Sequence, residues 1–384
     1  MITTEIVPDD AGLRQARRHR LLAEMEAAGV DVLVVGREAN ARYVSGVPRL
    51  WLAGTRPFGP GCILVRGTGA VHLLTSWDEG VPDDIPHEHL IGFTFNPGNQ
   101  VKALRAIEGS AEFRTVATDA LNPMTAGLLP RAFPNATIVD GGPLLQRARR
   151  TKTAAEIETL RAAVGIAERC TAAAAAALAP GTTEQHLAAV FMEEMGRGGV
   201  CMPSIQDVVW RTSPATPTAR VGRGAPLVDG ELVTIAAGVM VDGYAGEMTR
   251  TLVVGSAGAG SDDGRSIGAA DSLLRQTDDL LRRLLDVCRP GTSCSELLRV
   301  YADAGLTPPV TPVAHGLGLG FDHPTVLAAL PRTAAEDRFE EGMVLAVTAS
   351  VWQHGVGAAV VTEPVVVTAD VARSLVGGDG AAGR

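Results

Sequence analysis

Long apolar runs are missing from this chain. No window of 18 consecutive apolar residues occurs in its 384, so a membrane-spanning helix is not expected. The opening residues, Met1-Ile-Thr-Thr-Glu-Ile-Val-Pro-Asp-Asp10, lack the charged-then-apolar layout of a signal peptide, and a cytoplasmic protein is the expectation. Cysteine is scarce: Cys62, Cys170, Cys201, Cys288 and Cys294 are odd in number and scattered without metal-ligand spacing. That pattern argues against a disulfide framework or a thiolate metal site and leaves reduced thiols. Long acidic or basic runs are also missing, although the formal net charge is −9. With no basic stripe interleaved with aromatics, nucleic acid is not an expected partner. Small polar molecules are.

What is present suffices for two domains, because 46% hydrophobic residues in a chain of this length can fill two cores. Apolar positions from Leu13 to Ala28 follow helical spacing, and Gly29 ends that helix before the strand-like run Val30-Asp-Val-Leu-Val-Val-Gly36. Strands follow at Cys62-Ile-Leu-Val, Val71-His-Leu-Leu-Thr and Thr137-Ile-Val-Asp. The pattern predicts an α/β unit over residues 1–148, with Pro86-His-Glu-His89 in one of its loops. After the charged joint Arg147-Ala-Arg-Arg-Thr-Lys152, Thr153 and Glu156 have capping-box spacing for a helix reaching about Leu178.

A second domain is predicted over 149–376, with a flexible Gly-rich tail at 377–384. It carries an internal echo: Ala179-Pro-Gly-Thr-Thr-Glu and Arg289-Pro-Gly-Thr-Ser-Cys each join two helical stretches through a Pro-Gly turn. A separation of about 110 residues is too long for a solenoid. It suits a domain of two pseudo-symmetric α+β halves.

The motifs lie in that domain. Gly230-Glu-Leu-Val-Thr-Ile-Ala-Ala-Gly238 followed by Asp242-Gly-Tyr-Ala-Gly-Glu-Met-Thr-Arg-Thr251 resembles the metal-binding hairpin of the creatinase/prolidase/aminopeptidase P family. His315-Gly-Leu-Gly-Leu-Gly320 is similar to its H-G-x-G-L motif, and Glu341-Gly-Met-Val-Leu-Ala-Val-Thr348 to E-G-M-V-x-x-x-E. Asn40-Ala-Arg-Tyr-Val-Ser-Gly46 and Arg150-Thr-Lys-Thr-Ala-Ala-Glu-Ile157 resemble its N-terminal and interdomain segments. The resemblance implies an α/β N-terminal creatinase-like domain, a C-terminal α+β pita-bread domain with internal pseudo-two-fold symmetry, a site between its halves, and a homodimer.

It also implies metal ligands that this chain has exchanged. Ala236 takes the place of the first hairpin aspartate, Glu247 of the second, and Thr348 of a glutamate. The last ligand position falls near Val361 or Thr362, with Glu363 displaced from it. His315 keeps the imidazole place; seven residues on, where the family has another histidine, stands Asp322, with His323 beside it. Two-metal hydrolysis needs ligands for both ions and a bridging hydroxide. No bound metal or cofactor is therefore expected. Creatinase, a metal-independent member, uses a histidine placed just before the hairpin, but the matching stretch Ser213-Pro-Ala-Thr-Pro-Thr-Ala-Arg220 contains none.

The remaining groups point to acid–base chemistry on a small polar substrate, at a C–N or neighbouring bond. Glu247, His315 and His323 are the candidate catalytic residues. Asp322, Arg211, Arg220, Tyr244 and Thr348 are the candidate substrate-binding residues, the arginines as bidentate carboxylate clamps. Plainer readings stay open beside these: Glu247 as a structural ion pair with Arg250 or a loop arginine, His315 as a hydrogen-bonded core histidine, and the arginines and Tyr244 as surface or packing residues. At the level of the whole chain the alternatives are a non-catalytic binding protein and a mononuclear metallohydrolase of the Xaa-Pro peptidase kind.

Overall fold

The computed structural model describes residues 11–47, 61–75, 80–92, 96–119, 123–200, 202–205, 207–217, 219–221, 224–255, 264–329 and 337–377. Cys201, Thr218, the first ten residues and the tail beyond Gly377 lie outside them. The chain divides into two units, one running to Arg149 and one beginning at Arg150.

The first unit contains α1 (Ala11–Ala27), β1 (Val32–Val35), α2 (Glu38–Ser45), β2 (Cys62–Val65), β3 (Val71–Leu74), β4 (Leu90–Ile91), α3 (Pro97–Arg105), β5 (Thr115–Thr118), α4 (Pro123–Ala132), β6 (Thr137–Asp140) and α5 (Gly142–Arg150). Helix α1 buries Leu13, Arg17, Leu21 and Met25, one residue per turn. It stops where Gly29 takes a φ of +63°, a conformation that costs glycine little. Among the described residues the strands form a six-stranded mixed sheet in the order β4-β3-β2-β1-β5-β6. Strand β1 is buried throughout its length, as expected of a central strand covered on both faces.

The second unit opens with α6 (Ala154–Ala176), whose start is fixed by the predicted capping box: Thr153 accepts from the Glu156 N–H, and the Glu156 carboxylate accepts from the Thr153 N–H. Then follow α7 (Glu184–Arg197), β7 (Val209–Trp210), β8 (Leu232–Val241), β9 (Tyr244–Val253), α8 (Gly264–Val287), α9 (Glu296–Asp303), β10 (Ala314–Gly318), β11 (Gly320–Val326), β12 (Val344–Gln353), β13 (Gly357–Val367) and β14 (Ala372–Ser374). Among the described residues these strands make one sheet, ordered β11-β10-β12-β13-β9-β8-β7 with β14 on β13.

Two cores sit on this sheet. Leu187, Phe191 and Ala167 from α6 and α7 pack with Val233, Ile235, Ala237 and Val239 of β8. Leu280, Leu284, Leu297 and Tyr301 from α8 and α9 pack with Leu345, Val347, Ala359 and Val365 of β12 and β13. Each large apolar side chain so buried contributes about 1.5–3 kcal/mol. The helix pairs that carry the Pro-Gly echo thus each cover one half of the sheet. Close approach of α6 to β9 depends on Gly246, where a Cβ would come within 2.3 Å of the Ala163 carbonyl carbon.

Candidate active site

The site grows from the turn between β8 and β9. Asp242 and Gly243 take φ values of +48° and +80°, the two positive angles of a type I′ hairpin, for which Asp-Gly is a favoured pair. A two-residue turn fixes the register: Val241 pairs with Tyr244, Gly238 with Glu247 and Ala236 with Thr249. Because Val233, Ile235, Ala237 and Val239 point into the helical core, alternation puts Thr234, Ala236 and Gly238 on the opposite face. Thr249 also pairs with Thr362 of β13, which in turn pairs with Thr348 of β12. Ala236, Thr249, Thr362 and Thr348 therefore form one row across four neighbouring strands. The Thr348 and Thr362 hydroxyls are 2.9 Å apart and hydrogen-bonded. A second hydroxyl pair, Thr234 with Thr251, is also at 2.9 Å.

Glu247 and His315 meet on this sheet from β9 and β10. The His315 Nε2 lies 3.4 Å from Glu247 Oε1, and its Nδ1 lies 3.2 Å from the Gly316 carbonyl oxygen. His315 is buried, while Glu247 retains some exposure. A carbonyl can only accept, so Nδ1 carries a proton. The Nε2 contact then needs one more, held either by the imidazole or by the carboxyl group, since two lone pairs would otherwise face each other. The pair is a one-proton device. Phe321 of β11 covers the ring, with centroids 3.9 Å apart and an interplanar angle of 25°.

Several expected site residues lie elsewhere in the network. Asp322, expected to bind substrate, is buried against the Lys152 ammonium at 2.9 Å. Its side chain fills the space where Gly316 and Gly318 lack a Cβ: one at Gly318 would lie 2.1 Å from Asp322 Oδ2. The two glycines of the His-Gly-Leu-Gly motif make room for this ion pair. Arg211, expected to clamp a carboxylate, is buried and engaged by Glu184 at 3.3 Å, by both Glu231 oxygens at 3.1 Å, and by the Ala225 carbonyl. Arg220 pairs with Asp207 at 2.8 Å and lies 4.4 Å over the Trp210 ring. The Tyr244 hydroxyl, expected at the substrate, donates to buried Glu156 at 2.9 Å and ties the hairpin to the start of α6. Asp322, Arg211 and Tyr244 thus have their polar groups engaged by partners inside the protein, whereas Arg220 and its partner Asp207 form an exposed pair.

His323 occupies the irregular stretch of β11 where pairing shifts between His315/Thr325 and Gly316/Asp322; it is half-buried and does not join the Glu247–His315 pair. Arg250, offered above as a partner for Glu247, instead pairs with Glu363 at 2.6 Å and donates to the Thr362 carbonyl at 2.8 Å. Glu363 thereby points away from the row that Thr362 joins. Lys152 and Phe321 were not among the candidates; Lys152 stood in a quoted motif, but nothing in the sequence joined it to a residue 170 positions on.

The places at which the resemblance implies metal ligands are thus Ala236, Glu247, His315, Thr348 and Thr362. A methyl group donates nothing, and two neutral threonine hydroxyls replace two carboxylates. Among the described residues no group of three or more His, Cys, Asp and Glu side chains could hold a metal ion. This donor set does not fit a two-metal centre.

Comparison with known proteins gives the framework. Residues 17–151 match the model of the creatinase/prolidase N-terminal domain, and residues 158–369 match metallopeptidase family M24. The chain is similar to the Xaa-Pro aminopeptidase of Escherichia coli, at 30% identity over 182 residues, which is 47% of this chain and only 40% of that protein. It is also similar to the Xaa-Pro dipeptidase of Pyrococcus furiosus, at 21% identity over 94% of this chain and 97% of that one. Among solved structures, the prolidase from Pyrococcus horikoshii superposes with a TM-score of 0.72 at 17% identity, covering 94% of this chain and 97% of the other. The dipeptidase PepE from Mycobacterium ulcerans gives 0.72 at 24% identity, covering 95% and 96%. The chain belongs to metallopeptidase family M24, with a creatinase/prolidase N-terminal domain followed by a pita-bread domain.

Proposed function

We propose that this member of a family of peptidase hydrolases is a metal-independent acid–base enzyme that acts on a small polar substrate at a C–N bond. One observation carries the reading: Nδ1 of His315 is committed to a carbonyl, while its Nε2 lies 3.4 Å from the Glu247 carboxyl group. In hydrolysis, water adds to the carbon of the C–N bond as Glu247 takes its proton, and His315 gives its Nε2 proton to the departing nitrogen. Glu247 then returns a proton to Nε2 across the contact, which restores the starting state. A 3.4 Å separation is long for a hydrogen bond and suits a pair that tightens around its substrate. The Thr348 and Thr362 hydroxyls supply polar contacts to the substrate on the same face.

The test is Glu247→Gln and His315→Asn, which nearly preserve volume and change protonation. Both are assayed on a panel of small amides and Xaa-Pro dipeptides, together with melting temperature. Each is expected to lose about 10²–10⁴-fold in turnover, the usual size for a general acid or base, with little change in melting. Unchanged turnover in both would reject the reading, and no turnover of any compound by the parent protein would favour a non-catalytic binding protein.

A second reading, a mononuclear metallohydrolase of the Xaa-Pro peptidase kind, is favoured by the match to metallopeptidase family M24 and by the Escherichia coli relative. It needs three protein ligands. Glu247 and His315 are two; His323 would have to turn in as the third.

A further inference from the structure

We infer that Phe321 determines substrate specificity at this site: its inner face fixes the His315 ring, and its outer face receives a planar, π-bonded group of the substrate. Among the described residues, the exposed large apolar side chains are Met192, Met202, Val228, Val310, Val371 and Phe321, and Phe321 alone is aromatic, at 68% exposure. An isolated exposed apolar residue ordinarily needs no explanation. This one is stacked at 3.9 Å on the buried imidazole of the proposed acid–base pair.

The ring is held by rigid chain. Leu317 pairs with Phe321 and Gly318 with Gly320, so the β10–β11 connection is a single residue, Leu319. Directly after Phe321, Asp322 is anchored by Lys152 at 2.9 Å. Phe321 is thus fixed from behind by a buried ion pair. With one face of the imidazole covered by the phenyl ring, a substrate reaches His315 along its Nε2 edge, beside Glu247. The exposed face of Phe321 is the one turned away from the imidazole, so it meets a part of the substrate remote from the bond held at Nε2. Aromatic rings stack best on other flat, polarisable groups in offset geometry, so an amide or aromatic plane is preferred over a saturated ring of equal size.

This deepens the acid–base reading and rests on it for the location of the substrate, but its test is separate. Benzamide and cyclohexanecarboxamide, matched in size and differing in planarity, are titrated into the full chain while the His315 ring proton resonances are followed by NMR. Benzamide is expected to bind about 2- to 12-fold more tightly, the range for an aromatic pair. Phe321→Leu should erase that preference and the ring-current shift of His315, while Phe321→Tyr should keep both. In turnover, Phe321→Leu should raise KM for planar substrates more than it lowers kcat. No response to millimolar benzamide, or the same preference in Phe321→Leu, would overturn the inference. Loss of turnover in Glu247→Gln with no effect of Phe321→Leu would reject the role of Phe321 alone; the converse would reject the acid–base reading alone.

Discussion

Lys152 and Asp322 place opposite charges side by side in the protein interior, with side-chain exposures of 1% and 5%. Such a pair is weak evidence of net stabilisation, because desolvation offsets much of the attraction. Breaking it is another matter. Lys152→Met should cost about 3–5 kcal/mol, the usual penalty for leaving a buried charge without its partner, read as a shift in the urea midpoint. Lys152→Met combined with Asp322→Asn should recover a large part of that loss. A neutral single variant would mean that Asp322 is wet enough to serve as a substrate ligand, which the burial argues against.

At the scale of elements, strand β3 predicts a pH dependence for the first unit. Burial, reinforced by the neighbouring His89, pushes His72 down from its ordinary 6.5 to about 4, and the two rings are 4.2 Å apart. A histidine whose folded value is depressed binds fewer protons folded than unfolded. Its contribution is therefore fully present above pH 6.5 and is lost as the pH falls from 6.5 to about 4. Thermal melts across that window should show the parent losing stability on acidification, with a flatter profile in His72→Gln; identical profiles would contradict the assignment.

The elements also show what can be read from residues alone. Strands β2, β3 and β6, the Thr153–Glu156 cap and the helix pairs around both Pro-Gly turns are local patterns, and each is legible because propensity and packing agree there. The Glu247 and His315 positions were legible through motifs of fixed spacing. The engagements of Arg211, Tyr244, Asp322 and Arg250 were not, because they join residues from 14 to 170 positions apart. Such pairings depend on register, on the irregularity in β11, and on which glycines leave space. The Phe321 stack escaped for the same reason: a phenylalanine two residues from a histidine's motif gives no sign of which way its strand turns back.

On the scale of the whole molecule, the chain keeps the two-domain frame of a metallopeptidase family, while the positions at which the resemblance implies metal ligands read Ala236, Glu247, His315, Thr348 and Thr362. No helix among the described residues is long and apolar enough to cross a membrane. The proposed function places acid–base chemistry in this frame on one carboxyl group, one imidazole and a row of hydroxyls in place of metal-bound water. Elemental analysis of protein purified without chelators, paired with turnover measured before and after chelation, tests this most directly. Acid–base chemistry without metal requires no transition metal approaching one per chain and turnover indifferent to chelator; one or more zinc, manganese or iron ions per chain, removed together with activity and restored with it, would contradict it.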